Sequence, residues 1–151
     1  MPREKGRKVV ASNRKARHDY AVDETLETGV VLAGSEVKSL REAKGSLVDA
    51  HVDVRGGELW LMNAKIDPYP WANQFNHEPL RPRKLLAHRA EIKRLNTRVR
   101  EKGYTLVPLE VYLRDGKIKV EIALARGKKL YEKRDSKREA EARREMGESE
   151  E

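Results

Sequence analysis

The sequence predicts a mainly β protein, a small antiparallel barrel or sandwich of about six strands with two to three flanking helices and a C-terminal tail. Apolar and polar residues alternate along several segments, and short turn signals join these segments into hairpins. Such alternation is typical of antiparallel sheets that cover a core on one side only. Residues 127–151 contain few large apolar groups. These groups cannot offset the entropy of ordering, so we expect the tail to be disordered when free.

The first strands are expected in the N-terminal half of the chain. Apolar residues share one face over residues 20–26, and a short apolar strand follows over residues 29–33. Residues 48–54 alternate between apolar and polar side chains, and the Gly56-Gly57 pair then turns the chain into residues 59–62. Paired glycines between alternating runs are a strong hairpin signal.

The last hairpin is the clearest one in the sequence. Residues 107–113 alternate, residues 118–124 alternate back, and Asp115-Gly116 stands between them. An Asp-Gly pair favours a two-residue turn because both positions accept positive φ angles.

Two helices are predicted among the strands. Ser35 is placed to cap a short helix that directs Val37 and Leu40 inward and ends at Gly45. A longer helix is predicted from Pro82 to Gly103, since proline suits a first helical position and glycine a terminator. Its apolar stripe consists of Leu85, Ile92, Leu95 and Val99, and its other face is basic.

The loop of residues 68–82 contains four prolines and is expected to be irregular. We expect Trp71 and Phe75 within it to plug one end of the barrel rather than to contact a ligand. His77 is interpreted as a structural residue of the same loop.

Charge is distributed unevenly along the chain. The net charge is +8, with 33 Lys and Arg against 25 Asp and Glu. Residues 1–20 hold seven cations against two acids and residues 81–102 hold nine against two, whereas residues 21–80 hold five against ten. Such polarisation steers polyanions to one face, although lysine-rich helix faces are often merely solvated.

Composition also sets limits on location and chemistry. Cysteine is absent, which excludes disulfides, thiolate metal sites and cysteine nucleophiles. No apolar stretch approaches the ~20 residues that span a bilayer. The charged residues 1–8 lack the apolar region of a signal peptide. We therefore expect a cytoplasmic monomer with no membrane partner.

Two blocks combine cations with aromatic residues and bracket the β-rich body. Residues 13–20 hold three cations, an Asn, a His and a Tyr, and residues 127–134 hold a similar mixture. Cations bind phosphates, aromatic rings stack on bases, and Asn or His can hydrogen-bond base and sugar edges. The two blocks predict a protein that grips structured RNA.

An enzymatic alternative rests on His51 and Asp53, which lie two apart on one strand face with Asp49 beside them. These side chains could hold a divalent metal and support nuclease chemistry that His51→Ala would abolish. An exposed strand face gives the same pattern without any metal. The sequence contains no second ligand cluster, nucleophile motif or glycine-rich phosphate loop. We therefore expect no enzyme, no metal and no cofactor.

Seven segments of the chain form an ordered set of motifs, namely residues 13–20, 24–29, 32–41, 76–79, 83–86, 102–109 and 123–134. Together they resemble the SsrA-binding protein (small protein B, SmpB) family, the bacterial partner of transfer-messenger RNA (tmRNA). The resemblance spans about residues 13–138 and most of the chain. The loop of residues 70–75 departs from the family's usual glycine-containing version.

The resemblance implies a fold and a function. It implies an oligonucleotide-binding (OB) type closed barrel over residues 13–126, preceded by a flexible basic arm (1–12) and followed by the tail (127–151). It implies binding to the tRNA-like domain of tmRNA and delivery, with elongation factor Tu, to ribosomes stalled on broken messages. The body would replace the missing anticodon arm. The tail would enter the empty mRNA channel, reach the 16S rRNA decoding centre and become helical there.

The resemblance also assigns residues. Those implied to contact RNA are Asn13, Arg14, Lys15, Arg17, His18, Tyr20, Glu27, Lys38, Arg41, Lys84, Leu85 and Leu86. Those implied to engage the decoding centre are Gly127, Lys128, Lys129, Tyr131, Lys133 and Arg134. Tyr20, Leu85 and Leu86 could equally be pure core, and Glu27 could merely pair with a neighbouring cation. A general RNA-binding OB module, such as an RNA chaperone or ribosome assembly factor, remains the other non-enzymatic reading.

Overall fold

A computed structural model describes residues 7–72, 76–101 and 103–128, together with Arg134 and Arg138. Three helices and nine strands make up these residues. None of the described helices is long and apolar enough to cross a membrane. The elements in chain order are β1 (Arg7–Ser12), α1 (Arg14–Asp19), β2 (Tyr20–Val30), α2 (Gly34–Arg41), β3 (Gly45–Ser46), β4 (His51–Arg55), β5 (Glu58–Met62), β6 (Lys65–Ile66), β7 (Arg83–Leu86), α3 (Arg89–Val99), β8 (Tyr104–Arg114) and β9 (Lys117–Gly127).

The mainly β prediction is confirmed. Seven strands form one sheet in the order β1-β8-β9-β2-β7-β5-β4, and β3 pairs with β6 in a separate two-stranded ribbon. Every strand pair is antiparallel. The long sheet curls so that β4 approaches β8. Its order ends at β1 and β4, which do not pair with each other among the described residues.

Both predicted hairpin turns are present. Asp115 and Gly116 join β8 to β9 with φ angles of 52° and 79°. Gly56 and Gly57 join β4 to β5 with φ angles of 60° and 76°. Positive φ at both central residues matches the right-handed twist of the flanking strands, which is why these residue pairs are favoured there.

The core lies on the concave side of the sheet. Leu59, Leu85, Leu95, Ile122 and Leu124 are all at most 1% exposed. They belong to one cluster, to which α2 contributes Leu40 and α3 contributes Ile92. A smaller cluster joins Ala16 of α1 to residues of β8 and β9, and Tyr20 packs against it. Helix α1 is therefore fixed by packing, although six residues are too few for a stable isolated helix.

The predicted long helix from Pro82 to Gly103 is wrong in its first turns. Residues 83–86 form β7, which pairs with β2 on one side and β5 on the other, and α3 begins only at Arg89. Leu85 therefore fills the core from a strand. The 3.6-residue spacing to Ile92 is coincidental, because sheet pairing overrides it. Glu91 caps α3 by accepting a hydrogen bond from the backbone N–H of His88 at 3.0 Å.

The N-terminal arm also differs from its prediction. Residues 7–12, assigned to a flexible arm, form β1 and pair with β8. Residues 20–30 form one strand, not two, with a bulge between Val22 and Glu24. The bulge turns Val22 to solvent, where its side chain is 43% exposed. Val48, expected in a strand, precedes β4 and is also exposed.

Helix α2 is held by a buried ion cluster rather than by the predicted Ser35 cap. Glu36 and Arg83 are fully buried, and their Oε2 and Nε atoms lie 2.7 Å apart. Arg81 also binds Glu36, at 2.6 Å, and Oε1 of Glu36 accepts the backbone N–H of Ala33 at 2.8 Å. Ser35 instead bonds His77 at 2.8 Å. The helix ends at Arg41, with Glu42 as its C-cap, whereas Gly45 lies in β3.

This cluster keeps both charges despite burial. Burial raises the pKa of Glu36, but hydrogen bonds from Arg81, Ala33 and Arg83 outweigh it and hold that pKa below its ordinary value. Burial lowers the pKa of Arg83, and the hydrogen bond to Glu36 opposes that change. Arg83 also donates to the carbonyl oxygens of Ala64, Glu78 and Pro79. The cluster thus fastens the irregular segment before β7 to α2.

Candidate nucleic-acid interface

One outward face of the sheet brings together several predicted contact residues. Register pairs Gly29 of β2 with Leu86 of β7, and Lys84 of β7 with Trp60 of β5. Glu27 lies two residues before Gly29, so it projects to the same side. We call the surface formed by Glu27, Gly29, Lys84, Leu86 and Trp60 the open sheet face.

Gly29 has no side chain, so the sheet surface beside Leu86 is open. A Cβ atom at Gly29 would lie 3.4 Å from the Cβ of Leu86. Leu86 is 48% exposed, whereas Leu85 is 1% exposed and belongs to the core. Each leucine was expected either to fill the core or to contact RNA. Leu85 is a core residue, and Leu86 is available to a ligand.

Lys84 and Leu86 also line a groove of about 530 Å³ between the β4–β5 turn and α3. Arg89 and Lys93 of α3 lie on the opposite wall. Lys84 forms an ion pair with Glu58 at 2.6 Å across the sheet. The groove therefore combines an exposed apolar side chain with three cations, a combination that suits a base and its phosphates.

Glu27 is held in place by two neighbours on β8. The Tyr112 hydroxyl and Nη1 of Arg114 (2.9 Å) both donate to Oε2 of Glu27. The hydrogen bond from Tyr112 lowers the pKa of Glu27, burial opposes that shift, and Arg114 adds to the lowering. Burial and the hydrogen bond to Glu27 raise the pKa of Tyr112, so its hydroxyl remains a donor. The carboxylate is thus ionised and oriented.

The sequence interpretation missed the residues that orient Glu27. Tyr112 is 1% exposed because Arg7 of β1 lies over its ring at 3.7 Å. Arg7 also binds Glu110 at 2.6 Å and Glu121 at 3.3 Å. The available signal was Val9 and Val10, which mark residues 7–12 as a strand that could cover the polar face of β8.

Helix α1 presents the cations of the first block to solvent. Arg14, Lys15, Arg17 and His18 are all exposed. Arg17 approaches Glu110 at 3.5 Å, and Nδ1 of His18 lies 3.0 Å from Asp19. Tyr20 is half-buried against the small cluster. We call Arg14, Lys15, Arg17 and His18 the α1 cluster.

The side chain of Asn13 is buried and forms hydrogen bonds within the protein. It is 5% exposed. Its Oδ1 accepts the backbone N–H of Ala16 at 3.0 Å and caps α1, while its Nδ2 donates to the carbonyl of Pro108 at 3.0 Å. Asn13 therefore positions the α1 cluster on β8.

The root of the tail lies against the α1 cluster. The backbone N–H of Lys128 donates to the Asp19 carbonyl at 2.8 Å. Nζ of Lys128 donates to the Arg17 carbonyl at 3.2 Å. Gly127 ends β9 opposite Tyr20. The structure thus brings the start of the second block, Gly127 and Lys128, against the first block.

Three of the six predicted tail contacts lie outside the described residues. These are Lys129, Tyr131 and Lys133. Arg134 is described as helical and exposed.

Lys38 and Arg41 project from α2 and are exposed. Nζ of Lys38 lies 5.6 Å from the centroid of the Tyr69 ring, and Arg41 donates to the carbonyl of Gly116 at 3.2 Å. Both lie beyond the Val30 end of β2, whereas the α1 cluster lies beyond its Tyr20 end.

The alternative metal site has an ordinary ion-pair geometry. Nε2 of His51 lies 3.7 Å from Asp53, and Arg55 donates to the same carboxylate at 3.0 Å. Within residues 7–72, 76–101 and 103–128, no three His, Asp or Glu side chains gather as metal ligands would. The competing cation on Asp53 weakens the nuclease reading.

Comparison with known proteins gives a consistent result. The family model described as SmpB protein matches residues 10–150. An SsrA-binding protein of Symbiobacterium thermophilum is 59% identical over 138 residues, which cover 91% of this chain and 87% of the relative. An SsrA-binding protein of Acidothermus cellulolyticus is 56% identical over 146 residues, with 97% and 92% covered.

The fold matches a solved structure as well. A chain of the structure described as "tmRNA-SmpB: a journey to the center of the bacterial ribosome" superposes with a TM-score of 0.66 at 48% identity. The match covers 79% of this chain and 84% of that chain.

Proposed function

The chain belongs to the SmpB protein family, and from this membership we propose that it binds tmRNA and acts with it on the bacterial ribosome. Its relatives are SsrA-binding proteins, and the similar solved chain comes from a tmRNA-SmpB structure. The proposed activity is binding to the tRNA-like domain of tmRNA and its delivery to stalled ribosomes for trans-translation. This is a cytoplasmic, non-enzymatic role.

The observation that carries the proposal is the joint placement of Glu27, Lys84 and Leu86 on the open sheet face. A carboxylate among cations repels phosphate, but it accepts hydrogen bonds from base amino groups and sugar hydroxyls. Lys84 supplies charge for the backbone, and the exposed Leu86 supplies an apolar contact for a base. The face therefore has the means to read an RNA surface as well as to attract it.

The α1 cluster supplies a second contact at the other end of β2. At about 3.3 Å per residue, Glu27 lies roughly 23 Å along the strand from Tyr20. A separation of this size suits a folded RNA domain better than a short single strand. The exposed cations of the α1 cluster would bind its phosphates.

The remaining parts of the proposal concern the ribosome. We infer that the body stands in for the anticodon arm that tmRNA lacks. The tail, residues 127–151, would enter the mRNA channel and contact the decoding centre through its cations and Tyr131. Elongation factor Tu is the proposed companion in delivery.

A competition gel shift at physiological salt tests the proposal. Labelled tmRNA is bound by the protein and challenged with excess bulk tRNA or a generic hairpin RNA. We expect neither competitor to displace tmRNA at concentrations where unlabelled tRNA-like domain does. Equal displacement by all three RNAs would contradict the proposal and favour a general RNA-binding OB module.

A further inference from the structure

The loop of residues 67–72 presents an aromatic surface beside α2. Trp71 is 80% exposed, more than any other large apolar side chain in the described part of the chain. Tyr69 is half-buried, and the Lys38 ammonium lies 5.6 Å from its ring centroid. The prediction that Trp71 plugs one end of the barrel is therefore wrong. Phe75, its predicted partner, lies outside the described residues.

Hydrogen bonds hold the loop in a defined conformation. Oδ1 of Asn76 accepts the backbone N–H of Tyr69 at 3.2 Å, and its Nδ2 donates to the Tyr69 carbonyl at 2.9 Å. The N–H of Ala72 donates to the same carbonyl at 3.0 Å, which closes a turn around Trp71. A side chain displayed on a hydrogen-bonded turn loses less entropy when it binds.

Two further hydrogen bonds fasten this loop to α2 and its cations. The Ser39 hydroxyl donates to the Asp67 carbonyl at 2.7 Å, and the N–H of Asp67 donates to the Lys44 carbonyl at 2.9 Å. Lys38 and Lys44 are exposed beside it. The nearby Asp67 carboxylate is paired with Lys65 at 3.9 Å. The surroundings of the aromatic rings are therefore basic.

We propose that Trp71 and Tyr69 form a stacking site for an unpaired base of tmRNA, with Lys38 and Lys44 placed for the adjoining phosphates. The inference rests on the proposed function. Exposed aromatic rings next to cations are how proteins hold splayed bases, because every base offers a π-face and every nucleotide a negative charge.

The location ties this site to tmRNA. The segment from Asn76 leads directly into β7, which carries Lys84 and Leu86 of the open sheet face. His77 and Arg81 of that segment bind Ser35 and Glu36, so the loop cannot move independently of α2. An RNA seated on the open sheet face can therefore extend onto the loop. A protein partner would need a broader apolar surface than two rings among lysines.

Fluorescence of Trp71 tests the proposal directly. The chain has two tryptophans, so the emission of Trp71 is obtained as the difference between the wild-type protein and Trp71→Phe. Titration with the tRNA-like domain of tmRNA should quench Trp71, since stacking on a base quenches indole emission.

In otherwise wild-type protein, Trp71→Leu should weaken tmRNA binding by about tenfold, and Trp71→Phe should retain most of the affinity. Lys38→Gln should lower the salt dependence of binding.

The matched Leu and Phe variants separate stacking from simple apolar contact. Equal tmRNA affinities for wild type, Trp71→Leu and Trp71→Phe, with unquenched Trp71, would overturn the inference while leaving the proposed function intact. Quenching by ribosomes alone, or a self-association that Trp71→Leu abolishes, would also overturn it. Failure of the wild type to select tmRNA would instead reject the proposed function. Thermal unfolding checks that the variants fold, which is expected for so exposed a residue.

Discussion

Glu27 is the one carboxylate of the open sheet face, which we propose binds RNA. Both of its described hydrogen bonds, from Tyr112 and Arg114, reach Oε2. Oε1 is left to accept from a ligand, and the side chain cannot rotate away without breaking both bonds. Pre-orientation of this kind reduces the entropy lost on binding. Tyr112 is therefore a positioning residue for the open sheet face.

The Tyr112→Phe variant tests this role. It removes one donor and keeps the ring beneath Arg7, so the fold should persist. We expect tmRNA affinity to fall by about 2- to 13-fold, the worth of one hydrogen bond. Tyr104→Phe, on the same strand, is the matched control and should leave affinity unchanged. A gel shift measures both, and equal affinities for the two variants would remove Tyr112 from the site.

The pH dependence of the same variants follows from the ionisation of Glu27. Its pKa is lowered from 4.5, so the benefit of the carboxylate is fully present above that pH and is lost as pH falls through the lower folded value. Tyr112→Phe removes the largest cause of the lowering. Binding by the variant should therefore weaken at a higher pH than binding by the wild type.

The Glu36 cluster makes a separate prediction about stability. Glu36→Ala leaves the buried Arg83 unpaired, and we expect a loss of about 3–5 kcal/mol. Because the pKa of Glu36 is lowered, its contribution is retained above about pH 4.5 and lost on further acidification. Urea unfolding at neutral and acidic pH measures both effects. Glu42→Ala, exposed at the end of α2, is the control, and a loss equal to that of Glu36→Ala would contradict the argument.

At the level of elements, local signals predicted turns and hairpins well. Asp115-Gly116 and Gly56-Gly57 act through their own φ angles, so nothing distant is needed to identify them. Residues 83–86 were misassigned because their strand depends on neighbours 24 and 57 residues away: Trp60 pairs with Lys84, and Gly29 pairs with Leu86. Long-range pairing of this kind leaves no periodic trace in a four-residue segment.

The candidate site shows the same division. Exposed cations such as Arg14 and Lys15 could be predicted from the sequence, because charge clustering is a local property. Asn13 was interpreted as an RNA contact, yet its partners are Ala16 and Pro108. The second of these lies 95 residues away. A side chain that caps a helix onto a distant strand cannot be distinguished from a ligand contact without the fold.

Substitutions in and next to α1 distinguish residues that support RNA binding through the fold from residues that contact RNA directly. Asn13→Ala should cost about 1 kcal/mol of stability through the lost cap and weaken tmRNA binding by disordering α1. Arg14→Ala should leave stability unchanged and reduce the log–log salt slope of binding by up to about 0.9, the value for one phosphate contact. Thermal unfolding and salt-dependent gel shifts separate the two.

Asn13→Ser is the matched control for the cap. A serine hydroxyl can accept from the backbone N–H of Ala16 but does not replace the donor to Pro108, so this variant should fall between wild type and Asn13→Ala in stability. An Asn13→Ala protein with normal stability and a reduced salt slope would show that Asn13 meets RNA directly.

In the whole molecule, the exposed basic surfaces lie at the two ends of β2. The α1 cluster and the root of the tail share the Tyr20 end, where Lys128 binds the carbonyls of Arg17 and Asp19. Helix α2 and the Trp71 loop lie beyond the Val30 end. An RNA held along the open sheet face would thus leave the root of the tail, Gly127 and Lys128, at one end of the complex.

This arrangement predicts that two truncations whose starts are two residues apart behave differently. Deletion of residues 129–151 keeps Lys128 on α1, so tmRNA affinity should stay within about twofold of wild type, while peptide tagging on stalled ribosomes is lost. Deletion of residues 127–151 also removes the bonds that Lys128 makes to α1, and affinity should fall as well. Gel shifts and an in vitro tagging assay measure the pair. Tagging that survives the shorter deletion would show that the tail is dispensable, and the ribosomal contact would have to lie on the body.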